Sequence, residues 1–174
     1  MGCWGYYDDE SDNCCMAWDK LLAKFKEKLQ WADDLDYEDY EQKFIEAIKS
    51  DNALYNDILD FLRSTSSSSA IGIGLTLIRS LSEKPIQCQP LYALPPPSDI
   101  GITLPDSFPQ QLSEYIVECI EGEIEMIDNG GGGGWKCTID RQKALNHELY
   151  IFSRGRLGSN TIKIKNSFEK MFTQ

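Results

Sequence analysis

All but one of the seven prolines stand between residues 84 and 106, three of them consecutive at 95–97. Proline locks φ and removes a backbone donor, so no regular helix survives that density. An extended or polyproline-like crossing over the surface is expected. The chain is thereby divided into helices before residue 84, a crossing over 84–106, and helices again over 107–174. At 174 residues these parts suit one domain, 1–174, with room for a core.

Before the crossing, apolar residues recur at helical spacing. Asp12 or Asn13 caps a helix running to about Gln30, with Cys14, Trp18, Leu21, Leu22, Phe25 and Leu29 on one face. Tyr37, Tyr40, Phe44, Ile45 and Ile48 mark a second helix, interrupted or re-capped at 50–52. Leu54, Ile58, Leu59 and Leu62 mark a third. The serine run 64–69 is a breaker that offers an N-cap to the next segment. That segment, AIGIGLTLIRSLSE (70–83), carries two periods. Ile71, Ile73, Leu75 and Leu77 alternate as a strand would, whereas Ile71, Leu75, Ile78 and Leu81 share a helical face. Local rules lean to the strand, because glycine costs about 1 kcal/mol inside a helix.

Past the crossing, Ser107 and Gln110 form a capping box around Pro109. The helix they open is the clearest of all: Leu112, Tyr115, Ile116, Cys119, Ile120, Ile124 and Ile127 make its inward stripe. Glycines 130–134 are a flexible loop. Asp140 caps a further helix to about Ser153, with Ala144, Leu145, Leu149 and Phe152 inward and Gly155 as its C-terminal cap. Ile164, Phe168, Met171 and Phe172 continue the helical spacing, although TIKIK alone would pair as a short strand. The expected fold is mainly α: a compact bundle of about five or six helices with the long proline-rich crossing, any β element being short and peripheral.

Chemistry is harder to find. IGIGLTL lacks the third glycine of a dinucleotide loop. Asp8, Glu10, Asp12 and Asp19 fit four calcium-loop positions, but the central glycine and terminal glutamate are missing. The Glu-x-x-His pairs of di-iron bundles are absent, as is the G-x-S-x-G elbow. The six cysteines have no C-x-x-C spacing and read as structural thiols. Cys137 and the single histidine, His147, are a nominal nucleophile and base. Cys137 comes after a flexible glycine run, and His147 precedes Glu148 on a helix, so an exposed or rim histidine is expected. No enzyme, metal or cofactor is anticipated.

Charge is the most uneven feature. The net charge is −11, made of −16 up to Trp135 and +5 from Lys136 onward. That polarity suggests internal docking or surfaces offered to a partner. The acidic candidate is the stripe Glu114, Glu118, Glu121 and Glu125; the basic one comprises 141–143 with Arg154, Arg156, Lys163 and Lys165. Nucleic acid is a poor partner for so acidic a chain. The longest apolar run, 70–78, is far short of the ~20 residues of a membrane span. The start has neither a basic nor an apolar leader segment, so an intracellular or virion location is expected.

At the N-terminus, Gly2 and Gly5 let Trp4, Tyr6 and Tyr7 fold back into a groove between helices as an anchor alongside Trp18. The start Met1-Gly2-x-Trp4-Gly5, acidic residues, then Ser11-Asp12-Asn13 opening a helix resembles small proteins grouped as "domain of unknown function 4259". AIGIGLTLI, Leu104-Pro105 and Lys143-Ala144-Leu145 stand where that family has an Ala-rich helix, a Leu-Pro before a helix and a last helix with Ala-x-x-x-Leu. The resemblance implies a fold without an activity, and tips 70–83 toward helix. The leading expectation is a non-catalytic interaction or assembly component, including a minor structural protein of a particle such as a viral capsid. The second is an acidic inhibitor or nucleic-acid mimic, and the third an enzyme of unknown type.

Overall fold

The computed structural model describes residues 12–81, 104–131 and 138–153. Six helices hold most of them: α1 (Asp12–Lys28), α2 (Tyr37–Ser50), α3 (Leu54–Arg63), α4 (Ser67–Leu81), α5 (Gln110–Asp128) and α6 (Thr138–Phe152). No strand occurs among the described residues, so the architecture is a mainly α bundle. The TIKIK segment, Gly155 and most of the proline-rich crossing lie outside them.

α1 packs its apolar face on α2 and α4, burying Cys14, Trp18, Leu21, Leu22 and Phe25. Phe44 of α2 meets two rings edge-on, Trp18 at 5.4 Å and Phe25 at 4.8 Å between centroids. Such edge-to-face pairs add about 0.5–1.5 kcal/mol each beyond buried area. The rest of the expected α2 stripe is at the rim: only Phe44 and Ile48 are fully buried. Tyr37 stays half-exposed because its hydroxyl donates to Asp19 Oδ1 at 2.7 Å. α1 ends in a Schellman turn: Gln30 N–H donates to Glu27 O (3.3 Å) and Trp31 N–H to Lys26 O (3.0 Å). Gln30 therefore adopts φ 53°, a left-handed position that glycine fills without strain.

The ambiguous segment 70–83 is helical through Leu81. Ser66 caps α4, its hydroxyl accepting Ser69 N–H at 3.2 Å. Alternation misleads here because residues 69–75, 77 and 78 are all buried. A helix enclosed on every side has no polar face to reveal its period. Gly74 makes the enclosure possible. A Cβ at Gly74 would lie 2.6 Å from Ile116 Cδ1 on α5 and 3.0 Å from Phe152 Cζ on α6. Three helices converge on that bare backbone.

α5 differs from its expected start. Its N-cap is Pro109, with no side-chain cap bond, so the Ser107–Gln110 box does not form. Gln110 Nε2 donates instead to Glu114 Oε1 at 2.6 Å, one turn along the same face. The helix ends in a second Schellman turn. Gly130 N–H donates to Ile127 O (2.9 Å) and Gly131 N–H to Met126 O (2.8 Å), with Gly130 at φ 81°. The first two glycines of the run thus terminate α5. α6 begins at Thr138, two residues before the expected cap Asp140, and packs on α5.

Candidate functional site

α5 separates its residues cleanly. Leu112, Ile116, Cys119 and Ile120 face the core, while Glu114, Glu118, Glu121 and Glu125 are exposed on another side. At 1.5 Å per residue these four carboxylates span about 16 Å. Spacings of three and four residues place successive like charges as neighbours, each pair destabilising by about 0.2–0.5 kcal/mol. α5 carries no lysine or arginine to offset this. Its last turn holds Glu125 and Asp128 and no basic residue, against the preference of the negative helix end for cations. Beside the stripe, Met126 is 46% exposed, and a Cβ on Gly122 would meet nothing within 4 Å. This face is not arranged for stability.

α6 carries the second polar concentration, this one inside. Ala144, Leu145, Leu149, Ile151 and Phe152 are buried, and so are Arg141, Asn146, His147 and Glu148, none more than 5% exposed. Residues 141, 144, 145, 148 and 152 share one face at i, i+3, i+4, i+7 and i+11. Arg141 Nη1 accordingly lies 3.9 Å from Glu148 Oε2, both side chains fully enclosed. The opposite charges offset part of the cost of enclosing both. Two expectations are corrected by this. Arg141 is not part of a basic surface offered to a partner, and His147 is not a rim residue but 2% exposed.

Burial lowers the His147 imidazole pKa to about 4, because desolvation disfavours the charged form. A neutral ring of that basicity, closed to solvent, is poorly matched to general-base work near pH 7. Burial also pushes the Cys119 thiol up, away from the thiolate that nucleophilic chemistry requires. Cys15 and Cys119 are free thiols. Among the described residues no three His, Cys, Asp or Glu side chains are grouped to hold a metal ion. Nor, among them, is any helix long and apolar enough to cross a membrane.

Of the anchor residues, Trp18 is 4% exposed, and its indole Nε1–H donates to Glu41 Oε1 at 2.6 Å across the α1–α2 contact. Trp4, Tyr6, Tyr7, Cys137, Arg154, Arg156, Lys163 and Lys165 lie outside the described residues. The buried Arg141–Glu148 pair escaped sequence reasoning, although its signal was present: opposite charges seven residues apart, aligned with Ala144 and Leu145. Compared with models of protein families, with curated proteins and with solved structures, the chain finds no match in any of the three.

Proposed function

We propose that the protein is a non-catalytic interaction or assembly component that presents the outward face of α5 to a basic surface of a partner protein. The observation that carries this reading is the line Glu114, Glu118, Glu121 and Glu125, exposed on a helix without a cation. Self-repulsion along that line and acids at the negative helix end both oppose folding. A cationic partner surface would relieve both. A place in a larger particle, such as a viral capsid, is the form of this reading in which the partner is a repeated basic subunit. The resemblance of the N-terminal motif to domain of unknown function 4259 adds a fold expectation to the proposal and no activity.

Mimicry of nucleic acid at a nuclease or polymerase site is less well supported. Four charges over about 16 Å are sparse beside a duplex, which carries one per ~1.7 Å of axis. Affinity capture from the native source separates the readings. Wild type is compared with Glu118→Lys/Glu121→Lys on α5 and with Asp34→Lys/Glu38→Lys, a matched reversal on exposed residues elsewhere. One basic protein retained by wild type and by the matched control, but lost by the α5 variant, supports the assignment. Equal loss in both variants, or recovery of wild-type monomer alone, contradicts it.

A further inference from the structure

Where α1 begins and α3 hands over to α4, the helices leave a cleft of about 420 Å³. That volume falls in the range of small-ligand sites, ~300–1,000 Å³. Its lining is divided by chemistry. Met16 and Phe61 supply its large apolar side chains; Lys20, Thr65, Ser66 and Ser69 are among its polar ones. Met16 and Lys20 lie one turn apart on α1, so ammonium and thioether reach the same opening.

Two of the lining residues, one apolar and one charged, are open to solvent. Met16 is 53% exposed, a large flexible apolar side chain of the kind that adapts to a bound body. Lys20 is exposed and enters no ion pair among the described residues, although the chain is strongly acidic and its neighbours Lys26 and Lys28 contact Asp33 and Asp57. The hydroxyl protons of Thr65 and Ser66 are engaged inward, donating to Leu62 O at 2.9 Å and Ser69 Oγ at 2.9 Å. That leaves Lys20 as the charged donor of the lining.

The geometry points to a binding site for a small amphipathic acid, an aromatic or aliphatic carboxylate whose apolar body rests on Met16 and Phe61 while its carboxylate meets Lys20. None of these residues belongs to α5, so this site stands independently of the partner surface.

The test uses the full chain labelled with ¹⁵N and three probes: phenylacetate, benzyl alcohol and inorganic phosphate. Phenylacetate should give saturable amide shifts confined to residues 13–20 and 61–69, and bind at least ten-fold tighter than the other two. Lys20→Gln should weaken phenylacetate about ten-fold at an unchanged melting temperature, since Lys20 holds no ion pair among the described residues. Met16→Gln should weaken it through the lost apolar contact. The proposal is overturned by absent or scattered shifts, by Lys20→Gln binding as tightly as wild type, or by benzyl alcohol or phosphate matching phenylacetate.

Discussion

Replacing glycine by alanine at two positions should move stability in opposite directions. Inside a helix the exchange gains about 0.5–1 kcal/mol from reduced backbone freedom. At Gly122 nothing stands within 4 Å of the new methyl, so Gly122→Ala should realise that gain, raising Tm by about 1–4 °C for a chain of this size. At Gly74 the methyl would meet Ile116 Cδ1 at 2.6 Å and Phe152 Cζ at 3.0 Å. Both neighbours are essentially unexposed and have little room to retreat. Overpacking of this kind costs about 1–3 kcal/mol, which outweighs the propensity gain and should lower Tm by several degrees. Differential scanning calorimetry of the two single variants reads both signs. A Gly74→Ala protein at least as stable as wild type would refute the convergence of α4, α5 and α6 on that backbone.

Other substitutions probe separate contacts. Gln30→Gly should raise stability by about 1 kcal/mol by relieving the left-handed residue that ends α1, measured by urea unfolding. Trp18→Phe should cost about 1.5–3 kcal/mol for the lost indole bond to the Glu41 carboxylate, with Glu41→Gln costing less because an acceptor remains. Arg141→Met removes the guanidinium that faces Glu148 and should cost about 3–5 kcal/mol. Arg141→Met/Glu148→Leu should cost less than that single change. His147 contributes to the acid limb. Its pKa is lowered on folding from 6.5 to about 4, so its contribution is complete above pH 6.5 and is lost as pH falls toward 4. The shift corresponds to about 3 kcal/mol. His147→Gln should flatten that limb in denaturation series between pH 7 and 4.

Where a helix has one wet side, its period is written in the residues. Leu21, Leu22 and Phe25 on α1, and Leu112, Ile116 and Ile120 on α5, were legible because Lys or Glu occupies the opposite face. The acidic face of α5 was visible for the same reason. α4 hid its period because its stretch 69–75 is buried on all sides, and the resemblance rather than the alternation pointed to helix. α6 was misread in the other direction. Arg141, His147 and Glu148 look like a solvated face one residue at a time, and only the seven-residue alignment of opposite charges reveals a pair that can be buried. The cleft was invisible because Lys20 and Ser66 are 46 residues apart and meet only through the turn between α3 and α4.

Most of the α6 side chains from Arg141 to Phe152 are enclosed, the polar Arg141, Asn146, His147 and Glu148 among them. Because His147 is the only histidine in the chain, one imidazole ¹H–¹³C signal followed from pH 8 to pH 3.5 reports on that enclosure without assignment. A midpoint near pH 4 is predicted. A midpoint near pH 6.5 would place His147 in water and contradict the buried helix.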